Sequence, residues 1–425
     1  RAVIRILRLK FMLGLFENPY VPEFKQASKV FDLPADRQLS LEAARKSIIL
    51  LKNDSNLLPL KKDLRAIAVI GPNADSHRNI LGDYTYPAHA EFTAVRHRRG
   101  AAPAETAVGK EDTGDVRVVS ILEGIRRKVS RQTRILYAKG CEVSGTSTEG
   151  FAKAIALAKS AAVAILVVGG KSGLTPDCTS GEMRDSAELS LPGVQRELVE
   201  TIVQTGTPTM VVLTSGRPLA LEWMAERASA IVQAWLPGEE GGNAVADVLF
   251  GDYNPGGKLP VSMPRRVGQV PVYYGHKPSG GRSQIWGDYI DSSTSPLFCF
   301  GYGHSYTAFA FNNIKIKPRK IRIQGEAKIT IGVTNTGTRA GDEVIQLYIQ
   351  DEFASVTRPV KELKGFQRIC LRPKETKTVV FRLPADELAF YNKDMKRVVE
   401  LGTFKVMVGR SSEDIVLEDS FEVIV

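Results

Sequence analysis

The segment CTSGEMRDSAELSLPG, residues 178–193, carries four charged side chains within seven positions, namely Glu182, Arg184, Asp185 and Glu188. A carboxylate in such a segment can be a solvated loop acid, with Arg184 as the ion-pair partner of Glu182. It can also be one half of a pair of carboxylates that does general acid/base chemistry. The spacing alone favours the solvated loop, so the position of the segment in the fold has to decide between the two readings.

Strand and helix patterns alternate on both sides of this segment. Continuous apolar runs such as AIAVIG, AVAILVVGG and PTMVVLTSG are separated by amphipathic runs such as EGFAKAIALAKSA and LPGVQRELVETIVQTG. This alternation predicts a mainly parallel sheet that is covered by helices on both faces. Ligands of such sheets meet the loops at the carboxyl ends of the strands. Because the CTSGEMRD loop follows the strand predicted at 162–168, we expect Glu182 at that edge.

Residues 1–40 are predicted to form a helix and an irregular connector. RAVIRILRLKFMLGLF has apolar residues at helical spacing, and several prolines follow it up to residue 34. A second helix is predicted over LSLEAARKSIILLKND, with Ser40 as its N-cap and Glu42 in its first turn. The ordered α/β part is therefore expected to begin near residue 41 and to continue to about residue 265.

The pattern changes after residue 265. Residues 266–306 are rich in Gly, Pro, Ser and Tyr and lack clear periodicity, which indicates a linker or a wrapping loop. Between 307 and 425, short alternating segments separated by turn signals predict a β-sandwich of about seven strands, immunoglobulin-like in general form. The predicted fold class is therefore α/β followed by all-β, a mainly parallel α/β sandwich and then a β-sandwich.

Composition and motifs argue against several classes of function. The net charge is +10, but the densest basic cluster, RHRRG at 96–100, reads as a solvated loop and not as a nucleic-acid surface. No apolar run approaches the roughly 18 residues that span a membrane. The phosphate-binding pattern fails at Ile165, where glycine is required, and the histidines lack metal-ligand spacing, so no cofactor is predicted. The four cysteines leave a Cys141–Cys178 bridge conceivable, although free thiols are preferred.

Seven segments, in order, carry a resemblance to a known family. They are LRLKFMLGLFENPY (7–20), AARKSIILLKNDSNLLPL (43–60), AVIGPNAD (68–75), GEMRDSAELSLPGVQ (181–195), AWLPGEEGGNAVADVLFGDYNPGGKLPVSMP (234–264), FGYGHSYTAFAF (300–311) and RPVKELKGFQR (358–368). Through them, nearly the whole chain resembles the C-terminal two-thirds of glycoside hydrolase family 3, the β-glucosidase and β-xylosidase type. A chance match to seven ordered segments is very improbable.

The resemblance implies a division of the chain into domains. Proteins of this family carry a (β/α) barrel, then an α/β sandwich of about six strands, then often a fibronectin type III-like domain. On that pattern, residues 1–40 are the end of the barrel domain and a connector, and 41–265 are the α/β sandwich that bears the acid/base. Residues 266–306 are the linker or wrapping loop, and 307–425 are the fibronectin type III-like domain.

The resemblance also implies a function, that of a retaining, exo-acting β-glycosidase acting on a β-linked oligosaccharide or glycoside. Glu182 matches the Glu of the family's SGE segment, which is the general acid/base. The family's nucleophile is an Asp on the barrel, so the barrel is an expected partner, as a separate or cleaved chain. Neither nucleic acid nor membrane is expected as a partner, and the family favours a periplasmic or secreted location.

Three further residues are weaker candidates. Arg184 and Asp185 are expected to anchor the acid/base loop as a pair, with Asp185 capping turn amides. His89 lies in YTYPAHAEF (84–92), which is predicted to be a loop. The aromatic residues of this segment, together with His89, could pack on a sugar, but packing against a neighbouring domain is favoured. The alternative for the whole chain is a non-catalytic carbohydrate-binding or assembly fragment. A phosphorylase with a barrel His as acid/base is a third option.

Overall fold

The structure is a computed structural model that describes residues 1–19, 31–98, 116–278 and 288–425 of the chain, without the side chains of 96–98. The side chains of the basic cluster at 96–100 thus lie outside the described residues. The chain divides into two compact units, residues 1–40 and 41–425. The first unit contains helix α1 (Ala2–Met12), and none of the residues of this helix is buried. Within the described ranges, no helix is both long and apolar enough to cross a membrane.

The second predicted helix is wrong at both ends. Helix α2 (Pro34–Ser47) begins six residues before Ser40, because proline suits the first helical position and the Asp36 carboxylate accepts the Leu33 N–H at 3.1 Å. Strand β1 (Ile49–Asn53) follows, where the sequence predicted more helix. The first three residues of β1 are fully buried, and this burial in a sheet overrides the helical spacing.

The alternation predicted for the α/β part is confirmed, apart from one additional helix. The elements are β2 (Ala66–Ile70), α3 (Tyr86–Arg98), α4 (Ile121–Lys128), β3 (Arg134–Ala138), α5 (Phe151–Lys159), β4 (Val163–Gly169), α6 (Gln195–Val203), β5 (Thr209–Thr214), α7 (Glu222–Arg227), β6 (Ala230–Gln233) and α8 (Gly241–Leu249). The prediction of a loop over 84–92 is wrong, because α3 occupies most of this segment. Its weak amphipathic pattern gave no helix signal, and Pro87 is tolerated in a first turn.

The six strands form one sheet in the order β1-β6-β5-β4-β2-β3. Strands β2 to β6 are parallel, and β1 pairs antiparallel with β6 at one edge. After β2 the chain runs outward to β3 and then returns to the other side of β2 to form β4. This reversal creates a topological switch point between β2 and β4, and the crevice outside the carboxyl ends of these two strands is the favoured ligand position in such sheets.

Apolar cores fill both faces of this sheet. One core includes Ile67, Ile165 and residues of α4 and α8, and the other includes Leu166, Leu198 and residues of α5 and α6. All seven residues of β4 are buried. The central strands are therefore rigid supports for the loops that follow them.

The predicted β-sandwich is confirmed and has eight strands in two sheets. Strands β11, β10, β15, β16 and β8 form one sheet, and β12, β9 and β7 form the other, around a shared core; β13 and β14 form a small hairpin. The strands are β7 (Phe309–Lys317), β8 (Lys320–Arg322), β9 (Glu326–Asn335), β10 (Gly341–Asp351), β11 (Glu362–Leu371), β12 (Thr376–Pro384), β13 (Phe390–Tyr391), β14 (Arg397–Val398), β15 (Gly402–Gly409) and β16 (Ile415–Ile424).

Polar contacts join the sandwich to the α/β part within the unit 41–425. The Arg368 guanidinium donates to Asp342 Oδ2 at 2.7 Å, to the Lys46 carbonyl at 3.0 Å and to the Tyr253 hydroxyl at 3.2 Å. The Tyr306 hydroxyl donates to the Val248 carbonyl at 2.9 Å, and burial raises the pKa of Tyr306. These contacts hold the two parts as one body.

All four cysteines are free thiols, the state that the sequence favoured. Cys141, Cys178 and Cys299 are buried, and Cys370 is exposed. Burial raises the pKa of Cys141 to about 11, so its thiol is protonated at neutral pH and is a poor nucleophile.

The close contact of α4 with α8 provides a test of the fold. A Cβ on Gly124 would lie 2.0 Å from the Gly242 carbonyl oxygen. We expect Gly124→Ala to lower the free energy of unfolding by about 1–3 kcal/mol in urea titrations, because overpacking here outweighs the gain in helix propensity. Gly268→Ala, which has open space around its Cβ, is the control; an equal effect of the two substitutions would contradict this packing.

Candidate functional site

The loops that follow β2, β4 and β5 meet at the carboxyl edge of the sheet. The buried Asn73, just after β2, donates through Nδ2 to the Gly170 carbonyl at 3.1 Å and to Thr214 Oγ1 at 2.6 Å. Gly170 follows β4, and Thr214 ends β5. The Asn73 side-chain amide thus links the three loops at the switch point. The residues that follow in each loop are therefore the candidates for the functional site.

The loop after β4 is closed at its base by backbone hydrogen bonds. The Thr179 N–H donates to the Lys171 carbonyl at 2.8 Å, and the Gly173 N–H donates to the Ser180 carbonyl at 3.0 Å. Gly181 follows with φ +124°, and a Cβ there would lie 2.3 Å from the Gly173 oxygen, so only glycine fits. The loop therefore returns to its own start and presents the next residue, Glu182, as an exposed side chain.

Arg184 holds this loop from within, but not by the pairing that the sequence suggested. Its Nε donates to the Cys178 carbonyl at 3.0 Å, and its Nη2 donates to the Pro176 carbonyl at 2.6 Å. It does not pair with Glu182. The exposed Asp185 carboxylate has no hydrogen-bond or ion-pair partner among the described residues, so the expected Arg184–Asp185 pair is not formed. Arg184 bonds carbonyls because a closed loop leaves them without other donors.

The Glu182 carboxylate is held by the loop after β2. The Tyr84 hydroxyl donates to Glu182 Oε2 at 2.8 Å, and this bond to a carboxylate raises the pKa of Tyr84. The backbone N–H of Glu182 donates to Asp83 Oδ2 at 3.3 Å. The Ser172 hydroxyl in turn donates to Asp83 Oδ1 at 3.5 Å. Two adjacent residues of one loop thus contact both the side chain and the backbone of Glu182.

A network of charges fixes helix α3 beside the loop that carries Glu182. The Arg78 guanidinium, with Arg78 only 3% exposed, donates to Glu91 Oε2 at 3.0 Å and to the Ser172 carbonyl at 2.7 Å. Lys171 Nζ lies 3.3 Å from Glu91 Oε1 and 2.8 Å from Asp177 Oδ2. Burial raises the pKa of Asp177, but bonds from Lys171 and Thr175 outweigh this and hold it below its ordinary value. The Glu91 carboxylate of α3 therefore bonds both Arg78, in the loop after β2, and Lys171, in the loop after β4.

The structure brings some of the predicted site residues together and adds others. Glu182 lies at the expected edge of the sheet. His89 lies on α3, with its ring centroid 6.1 Å from that of Tyr84. The sequence missed the contacts of Asp83 and Tyr84 with Glu182. The sequence did indicate that the loop with Asp83 and Tyr84 and the loop with Glu182 each follow a strand. These loops meet because β2 and β4 are neighbours in the sheet, and the strand order was not predicted.

Glu182 does not line either of two cavities of the described residues. One of about 730 Å³ lies between segments 262–276 and 289–296 and the sandwich, where Tyr273 and Tyr289 contribute to its lining. Another of about 420 Å³ lies beside the loop after β4 and is lined by Arg184 and Asp185, but not by Glu182. Within the described residues, no group of three or more His, Cys, Asp or Glu could hold a metal ion. Glu182 itself is an exposed side chain.

Comparisons with known proteins place this arrangement in a family. Residues 48–306 match the family model described as "Glycosyl hydrolase family 3 C-terminal domain", and residues 343–412 match "Fibronectin type III-like domain". The chain is 44% identical over 419 residues to a "Beta-xylosidase" of Formosa agariphila, covering 97% of this chain and 53% of that protein. It is 37% identical over 455 residues to a "Periplasmic beta-glucosidase" of Salmonella typhimurium, covering 100% of this chain and 55% of that protein.

A solved structure agrees with these matches. The β-glucosidase from Listeria innocua in complex with isofagomine aligns with a TM-score of 0.84 and 33% identity, over 99% of this chain and 55% of that chain. The present chain thus spans about half the length of the curated relatives that it matches.

The loop after β4 should lose its closed form when Arg184 is removed. We expect Arg184→Ala to speed hydrogen exchange at the Gly173 and Thr179 amides by about tenfold or more, because the loop loses two hydrogen bonds to a charged group. Glu188→Ala, an exposed acid of the same segment, is the matched control. Mass-spectrometric exchange on residues 171–188 measures this, and equal protection in both variants would show that Arg184 does not hold the loop.

Proposed function

Because the chain belongs to glycosyl hydrolase family 3, we propose that it supplies the general acid/base of a retaining, exo-acting β-glycosidase. The observation that carries the proposal is the position of Glu182. Its carboxylate is exposed at the switch point of the sheet, on a turn fixed by Gly181 and under a hydrogen bond from Tyr84. The relatives named as β-xylosidase and β-glucosidase support a β-linked glycoside as the substrate.

The chemistry assigned to Glu182 has two steps. In the first, the protonated carboxyl gives its proton to the glycosidic oxygen while a second carboxylate attacks the anomeric carbon and the leaving group departs. In the second, the Glu182 carboxylate takes a proton from water, and the resulting hydroxide equivalent displaces the enzyme carboxylate. Retention requires the two carboxyl groups to be about 5–5.5 Å apart, so the nucleophile must approach the open surface on which Glu182 stands.

A (β/α) barrel is proposed as the source of that nucleophile. The described residues form an α/β sandwich and a β-sandwich and include no such barrel. Helix α1 supports the proposal, because it has no buried residue and exposes a row of apolar side chains, namely Val3, Ile4, Leu7 and Phe11. In this scheme residues 1–40 are the end of the barrel domain and a connector, and 41–265 carry the acid/base. Residues 266–306 are the linker or wrapping loop, and 307–425 are the fibronectin type III-like domain.

Glu182→Ala tests the acid/base assignment in the complete enzyme with its barrel. For a phenyl β-glycoside, whose leaving group needs protonation, we expect kcat/KM to fall about 10²- to 10⁴-fold. For a dinitrophenyl β-glycoside we expect a small loss in kcat/KM, and azide should raise kcat and yield a β-glycosyl azide. Azide can do this because it needs no general base to attack the glycosyl-enzyme.

Glu188→Ala is the control for this experiment, since it removes another exposed carboxylate of the same loop, six positions away. It should keep activity on both substrates and show no response to azide. Unchanged activity in Glu182→Ala would refute the assignment and would favour the non-catalytic carbohydrate-binding or assembly role.

The need for a barrel predicts how this chain behaves alone. We expect the 425-residue chain to give no turnover of aryl β-glycosides, because it holds only one of the two carboxylates. Adding the barrel of a complete homologous enzyme should restore activity and produce a larger species in size-exclusion chromatography. Turnover by the isolated chain, lost in Glu182→Ala, would contradict the proposal that the nucleophile lies elsewhere.

A further inference from the structure

We propose that Tyr84 is a positioning residue for Glu182, and that it orients the carboxylate for proton transfer. This inference rests on the proposed acid/base role of Glu182. It adds a residue from a different loop, which follows a different strand, to the machinery. Tyr84 itself has no contact assigned to the substrate and acts through Glu182.

Two contacts fix Glu182 from opposite ends. The Tyr84 hydroxyl holds Oε2 at 2.8 Å, and the Asp83 carboxylate accepts the backbone N–H at 3.3 Å. Because one contact holds the backbone and the other holds the far end of the side chain, few rotamers of Glu182 satisfy both. Within the described residues, Oε1 has no partner and is free to face a leaving group. The geometry thus separates the two oxygens into one that is held and one that is available.

The support for Tyr84 is rigid, although its own ring is exposed. Thr85 Oγ1 donates to the Gly82 carbonyl at 2.7 Å and closes the turn just before α3. Helix α3 is in turn fixed through Glu91 to the buried Arg78. Tyr84 is 69% exposed, so its hydroxyl contributes little to the core. The Tyr84–Glu182 hydrogen bond is thus held in place by the Thr85 turn and by α3, although it is exposed to solvent. Positioning of Glu182 explains this contact better than a contribution to the stability of the fold.

The hydrogen bond from Tyr84 has different strengths in the two steps of the reaction. A hydroxyl donates more strongly to an ionised carboxylate than to a neutral carboxyl group. The same contact raises the pKa of Tyr84, so the hydroxyl keeps its proton and remains a donor at neutral pH. Tyr84 therefore donates most strongly to Glu182 when its carboxylate must accept a proton from water in the second step, while it leaves Oε1 for the proton transferred in the first step.

Tyr84→Phe in the complete enzyme is the test, and Tyr86→Phe is its matched control. Tyr86 is also 69% exposed, lies two residues away, and its hydroxyl has no partner among the described residues. We expect Tyr84→Phe to lower kcat/KM on a phenyl β-glycoside about tenfold, as expected for loss of one charge-assisted hydrogen bond. The kcat/KM on the dinitrophenyl β-glycoside, whose departure needs no acid, should stay within about twofold, whereas kcat on it should fall where the second step, which still needs the base, is rate-limiting.

The comparison of the two substrates separates positioning from a general structural defect. A positioning role lowers kcat/KM on the phenyl β-glycoside, whose departure needs the acid, and spares kcat/KM on the dinitrophenyl β-glycoside. Tyr86→Phe should leave kcat/KM on both substrates unchanged. A merely structural role of Tyr84 would lower kcat/KM on both substrates equally.

A double substitution distinguishes failure of this inference from failure of the proposed function. In a Glu182→Ala background, Tyr84→Phe should change the azide-rescued rate by less than about twofold, because nothing remains to be positioned. If Glu182→Ala shows rescue but Tyr84→Phe matches Tyr86→Phe, the positioning role alone is overturned. If Glu182→Ala shows no rescue and no loss, both are overturned.

Discussion

A buried positive charge with few ways to be satisfied determines the arrangement of the site. The Arg78 guanidinium has left water almost completely, and leaving such a charge unpaired in the interior would cost several kcal/mol. It bonds the Glu91 carboxylate of α3 on one side and the Ser172 carbonyl of the loop after β4 on the other. Any shift between these two segments would break a bond to a buried charge. The meeting of Tyr84 with Glu182 depends on this constraint.

The sequence predicts much of the fold because burial leaves a local trace. Strands β2 to β6 read as apolar runs, and the sandwich strands read as alternating ones, and both readings are confirmed. The two errors occur where local spacing and tertiary surroundings disagree. The segment Ile49–Leu51 fits a helical face but is buried as an edge strand against β6. Helix α3 has almost no apolar face of its own, and its Glu91 is bonded to residues elsewhere in the chain.

The candidate site is predictable only in part, for a related reason. A loop after a buried parallel strand can be assigned to the carboxyl edge of the sheet, and Glu182 is there. Which other loop it meets depends on strand order, and neither spacing nor composition encodes the neighbours β2 and β4. Arg184 was expected to pair with Asp185 because opposite charges stood side by side. In the structure its Nε and Nη2 donate to two loop carbonyls instead. The role of Glu182 in catalysis itself stays a prediction.

The contacts between the α/β part and the β-sandwich bear on how such chains change over evolutionary time. Arg368 of the sandwich needs Lys46 and Tyr253 as partners, and Tyr306, just before the sandwich begins, is partly buried, with its hydroxyl bonded to the Val248 carbonyl. A sandwich acquired from another source would lack the Arg368 guanidinium that bonds the α/β part. Loss of the sandwich would expose Tyr306 to solvent. Recombination at this junction would thus be selected against, and the two parts would be inherited as a single cassette.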